Sequence, residues 1–88
     1  VFEREGCTQC HAGPTYTSAA TYDVGLTDER GHRRFNPPSL RGVRWADSFF
    51  HDARAHQLED VLRIQQHQLS APLGEDDLQA LLAFLRSL

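Results

Sequence analysis

The 88 residues hold twelve acids against nine arginines and no lysine, and a net charge of −3 argues against non-specific nucleic-acid binding. With 40% hydrophobic residues the chain is globular, a single domain over residues 1–88 close to the lower size limit for folding without a staple. No apolar run is long enough to span a membrane.

The first predicted element is a short helix over residues 1–11, with Phe2 inward, ending on Cys7-Thr8-Gln9-Cys10-His11. C-x-x-C-H is the signal for covalent haem attachment. Two thiols three residues apart on a helical turn point the same way and can add to the two vinyl groups of one haem. The histidine after them offers an imidazole nitrogen to the iron as the proximal ligand. Two other readings compete for the cysteines. A redox dithiol wants a neighbouring βαβ pattern, and half a zinc site wants further paired ligands. No strand-alternating run is visible, and His32, His51, His56 and His67 are scattered, with only His51 and His56 about a turn apart. The haem reading leads: one covalent haem c, thioether-bound by Cys7 and Cys10, with His11 on the iron. Both cysteines are then used and no disulfide is expected. Thioether attachment implies assembly on the exported side of a membrane, so a periplasmic or otherwise exported setting follows. The start at Val1, already inside the expected helix, points to a mature or excised piece of a longer exported protein.

Ala12-Gly13-Pro14 breaks the helix. Residues 15–36 have no helical period and read as a long loop wrapping the haem edge, with Tyr16, Tyr22, Val24 and Leu26 turned inward. Pro37 and Pro38 then fix an extended segment, and Ser39 is placed to cap a one-turn helix. Arg41 carries a guanidinium that matches a haem propionate bidentately, with a solvated surface arginine as the competing reading. Trp45, Phe49 and Phe50 form an aromatic group suited to a pocket wall, to which Phe35, Leu40 and Leu62 are further candidates. His51, followed by Asp52, is a second candidate propionate contact.

A helix is expected from about residue 57 to about residue 69. At 100° per residue Leu58, Val61, Leu62, Gln65 and Leu69 share one face and His67 lies opposite, unless the helix breaks at Gln65 or Gln66 and brings it in. Ser70-Ala71-Pro72-Leu73-Gly74 is a break. Glu75, Asp76 and Asp77 then suit the N-terminus of a last helix. Its stripe is Leu78, Leu81, Leu82, Leu85 and Leu88, expected to pack across the first helix near Phe2, with Phe84 at the edge.

Cys-Thr-Gln-Cys-His-Ala-Gly-Pro-Thr at 7–15, Pro-Ser-Leu-Arg-Gly-Val at 38–43, Phe-Phe-His-Asp at 49–52, Leu-Glu-Asp-Val at 58–61 and Leu-Ala-Phe-Leu-Arg-Ser-Leu at 82–88 form an ordered set. This set resembles the C-terminal haem domain of bacterial di-haem cytochrome c peroxidases and MauG-type enzymes. The resemblance implies an all-α class I cytochrome c fold, three main helices round one covalent haem, with a long haem-wrapping loop. It also implies Cys7 and Cys10 as thioether sites, His11 as the proximal ligand, His51 as the histidine near the propionates and Arg41 as the arginine of the proline-led turn. Two departures stand out. The full enzymes carry a preceding haem domain where peroxide binds, and this chain has one C-x-x-C-H. The distal ligand of that domain is methionine in the peroxidases and tyrosine in MauG-type relatives, and this chain has no methionine. Counting forward from Phe50-His51 puts Gln65 at that position, and counting back from the C-terminus gives Ile64. Gln65 is therefore the expected distal residue, with His67 the alternative ligand.

The function expected on this basis is electron transfer by a mono-haem domain, the electron-handling part of a di-haem peroxidase-like protein rather than an enzyme by itself. Its partner would be a redox protein or a second haem domain. The alternative is an open or weakly ligated iron used for peroxide chemistry or small-ligand binding, and a third reading is a haem that only holds the fold. No distal acid–base pair is apparent, so no catalytic residue is assigned.

Overall fold

The computed structural model describes residues 1–88. Its organising element lies at the C-terminal end, where the leucine stripe forms helix α2, Glu75–Arg86. Glu75, Asp76 and Asp77 fill its first turn and Arg86 its last. That distribution complements the helix dipole. One face of α2 buries Leu78, Leu81, Leu82 and Leu85, and Leu82 keeps no exposed surface. Phe2, Val43 and Leu62 close over that face to make a single core cluster. The start, middle and end of the chain thus meet on one helix.

The shorter helix α1, Leu58–Arg63, packs beside α2. Arg63 Nη1 reaches Glu75 Oε2 at 3.1 Å across the gap. The sequence predicts this helix to about residue 69, but it closes after Arg63. The amides of Ile64 and Gln65 both reach the Asp60 carbonyl, and the His67 amide reaches back to Val61 at 3.0 Å. Between them Gln66 takes a left-handed φ of 46°. That conformation ends a helix, and glycine is its usual occupant.

The expected helix over residues 1–11 is absent. Turns lead instead into a 3₁₀ turn, Cys7–Gln9. The cause is Gly6, whose φ of 80° no continuing helix can accommodate and glycine adopts freely. Phe2 still packs on α2, with its ring centroid 5.0 Å from that of Phe84 near the helix's C-terminal end, but from a turn. Within the wrapping segment, β1 (Tyr22–Asp23) pairs antiparallel with β2 (Arg34–Phe35), Tyr22 opposite Phe35 and Asp23 opposite Arg34. A second 3₁₀ turn, Val43–Trp45, follows Gly42, whose amide is bonded to the carbonyl of Leu88 at 3.0 Å.

The class I cytochrome expectation of three main helices is therefore corrected. The fold has two helices, one of them long, a two-strand ladder and, for the most part, turns and loops. Short helices are marginal without an apolar face to bury, and only nine of the 88 residues are buried, most of them on or against α2. No helix is long and apolar enough to cross a membrane.

Candidate functional site

The 3₁₀ turn sets the geometry of the cysteines. The Cys10 amide bonds the Cys7 carbonyl at 3.3 Å, and the His11 amide bonds the same oxygen at 2.9 Å. In a 3₁₀ turn side chains three apart eclipse, so Cys7 and Cys10 stand on one side. Both are half-buried free thiols. Burial pushes the Cys7 thiol up, which keeps it protonated at neutral pH.

His11 is oriented by backbone. Its Nδ1 lies 3.1 Å from the Tyr16 carbonyl oxygen. A carbonyl only accepts, so Nδ1 donates and Nε2 keeps its lone pair for an electrophile. The carbonyl is presented by a small closed loop. Ala12 and Thr17 exchange both backbone hydrogen bonds, at 3.3 and 3.0 Å, and Tyr16 sits between them at a left-handed φ of 54°. The Tyr16 ring is anchored edge-on against Phe2, 5.9 Å between centroids. Thr17 donates its hydroxyl to the Pro37 carbonyl and Ser39 donates to that of Thr15, tying this loop to the proline segment.

A cavity of about 360 Å³ lies between the wrapping segment and the chain after α1, lined by Val24, Leu26, Phe50, Gln65, Gln66, His67, Gln68 and Leu69. Gln68 closes its rim by donating Nε2 to the Val24 carbonyl at 3.2 Å. His67 is half-buried and packs edge-on against Phe50, 5.3 Å between ring centroids. Burial, the largest cause, pushes its pKa down, which favours the neutral imidazole. Helical phase set His67 opposite Gln65. With α1 ended at Arg63 the phase no longer applies, and both residues share one wall.

The other sequence candidates fall at several places. Arg41 is exposed and donates Nη1 to the Pro14 carbonyl at 3.0 Å, where the chain leaves the C-x-x-C-H stretch. His51 is exposed and stacks on half-buried Phe35, centroids 4.8 Å apart and planes 18° from parallel. Asp52 next to it is held down at about 2 by the Arg54 guanidinium. Of the expected wall residues only Phe50 lines the cavity, and Phe35, Leu40, Trp45, Phe49 and Leu62 lie outside it. Leu62 belongs to the core and Leu40 packs against it. Trp45 is 77% exposed, with the Arg44 guanidinium 4.7 Å above its ring. A charge stacked on the ring's face satisfies it in water. Gln66, Gln68 and the Tyr16 carbonyl are site features that sequence reasoning missed. No signal announces a backbone carbonyl, because every residue has one.

The competing readings of the cysteines find little here. No group of three or more His, Cys, Asp or Glu side chains is gathered as a metal site. The one sheet is a two-strand antiparallel ladder, without the βαβ unit a dithiol motif wants.

No family model matches the chain. Among curated proteins it is similar to an enzyme of the cytochrome c peroxidase class. That relative is cytochrome c551 peroxidase of Nitrosomonas europaea, 26% identical over 106 aligned positions, which cover all of this chain and 32% of the relative. The chain thus spans about a third of that protein's length. The similarity gives the chain a haem-related redox relation at a coarse level.

Proposed function

We propose that the chain is a mono-haem c-type cytochrome domain that transfers electrons, the electron-handling part of a larger peroxidase-like protein. The observation that carries this reading is the eclipsed Cys7–Cys10 thiol pair beside a His11 whose Nδ1 is tied to Tyr16. The donor set fits a covalent haem: two free thiols for the vinyl carbons and one imidazole with a free Nε2 for the iron. The apolar wall of Val24, Leu26, Phe50 and Leu69 suits a porphyrin face, and the similarity to a cytochrome c peroxidase points the same way.

When bound, the haem supplies a one-electron iron couple. The chain's own residues do the rest. Cys7 and Cys10 fix the ring, and His11 is held in one tautomer by the Tyr16 carbonyl, which raises its basicity as a ligand. Val24, Leu26 and Phe50 keep water from the ring edge. Arg41 and His51 are the candidate propionate contacts. The partner is a redox protein or a second haem domain, in an exported compartment where thioether attachment takes place.

A spectroelectrochemical titration, together with a peroxide-consumption assay, tests the reading. Reversible one-electron conversion between ferric and ferrous spectra, with no peroxide turnover by this chain, is the expected result. Rapid peroxide turnover would instead assign the peroxidase chemistry of the relative's name to this domain.

A further inference from the structure

The cavity wall holds one side chain able to bind iron strongly. His67 is the only imidazole among the lining residues, in company with three glutamines. Its ring is held by packing against Phe50 rather than by a hydrogen bond, which leaves its nitrogens available. The backbone on either side of it is in an unfavourable conformation. Gln66 and Gln68 both take left-handed φ values, 46° and 55°, although neither is glycine. Such conformations persist only where the surrounding structure holds them, and they cluster at ligand-binding sites. The His67 amide bond back to Val61 fixes the same turn.

The other donors are placed elsewhere. His32 pairs with Asp28 at 3.2 Å on the wrapping segment. His51 is stacked outside on Phe35, and His56 is exposed. The chain has no methionine. Gln65 shares the wall with His67, but its neutral amide oxygen is a far weaker ligand for iron than an imidazole.

We propose that His67 is the sixth ligand, so that the iron is held between two histidines, His11 and His67. The proposal rests on the haem reading above. The early end of α1 is then functional, because a helix continued through Gln66 would turn His67 away from the cavity. Two imidazoles give a six-coordinate, low-spin iron suited to electron transfer and closed to peroxide unless His67 leaves.

The test uses ferric protein made with a haem-attachment system, its adduct mass measured on the same sample. Electron paramagnetic resonance and near-infrared magnetic circular dichroism should show a low-spin bis-imidazole centre in wild type and in Gln65→Ala. His67→Ala should lose that signal, become high-spin, and regain it on addition of imidazole. His67→Met, a second variant that keeps a ligand of similar bulk, should gain a sulfur-to-iron charge-transfer band. A bis-imidazole signal that survives His67→Ala would overturn the proposal. So would a wild-type protein that carries the haem but is high-spin. In both cases the haem reading stands, whereas a chain without any haem adduct would overturn both.

Discussion

His11 donates Nδ1–H to the carbonyl of Tyr16 at 3.1 Å, and the ring of that same tyrosine packs against the core. The Tyr16 ring meets Phe2 at 5.9 Å and Phe84 at 6.2 Å, both nearly edge-on. The orientation of the histidine is therefore coupled to the packing on α2. Tyr16→Ala should cost about 2–3 kcal/mol of stability in denaturant unfolding, through lost aromatic packing. Tyr16→Phe should stay within about 0.5 kcal/mol, because the backbone oxygen and not the hydroxyl does the accepting. Equal losses in the two variants would contradict this account.

The leucine face of α2 is the other support of the fold. Leu82 has no exposed surface and sits in the centre of a small core. Leu82→Ala should destabilise by about 3–5 kcal/mol, a large share of what a domain this size possesses. Ile64 is 67% exposed just past α1, and Ile64→Ser should change stability by less than about 0.5 kcal/mol. Comparable losses at the two sites would mean that the core lies elsewhere.

The Asp52 carboxyl is held at about 2 by its hydrogen bonds to the Arg54 side chain, with Nη2 at 2.7 Å. A depressed carboxylate supports the fold fully above its unfolded pKa of about 3.9. That support is lost as pH falls from there through about 2. A carboxyl-carbon NMR titration should give a midpoint of about 2 in wild type. In Arg54→Gln it should return toward about 3.9. A midpoint unchanged by the substitution would place the cause outside Arg54.

Arg41 stands where the chain leaves the cysteine–histidine stretch, bonded to Pro14. If it also pairs with a propionate, removing its positive charge favours the ferric state and lowers the midpoint potential. A charge interaction at an exposed site is worth about 0.5–1 kcal/mol, which corresponds to roughly 20–40 mV for one electron. Arg41→Ala should show that drop with an unchanged absorption spectrum. No shift at low ionic strength would make Arg41 a solvated surface residue.

What was legible in the sequence follows from how strongly each local signal stands alone. The α2 stripe, its acidic first turn and the break at Gly74 all agree, and the helix forms as predicted over Glu75–Arg86. The spacing of Cys7, Cys10 and His11 was equally plain. The opening helix was misread because a glycine at position 6 is compatible with a helix until its left-handed φ is known. The end of α1 had no warning at all. Gln66 and Gln68 occupy left-handed positions without being glycine or asparagine, so periodicity ran straight through them. A continuous helix sets His67 opposite Gln65, and the break brings both onto one wall. The paired strands are two residues each, too short to show alternation. Trp45 read as a pocket aromatic, yet Arg44 stacks on it in the open.

The central claim is that Cys7 and Cys10 hold one haem covalently. Denaturing mass spectrometry of protein made alongside a haem-attachment system tests it most directly. The account predicts a chain heavier than its polypeptide by one haem, with both thiols consumed and no adduct surviving in a Cys7→Ala, Cys10→Ala double variant. A wild-type mass equal to the bare polypeptide, with two thiols still free to alkylate, would contradict it.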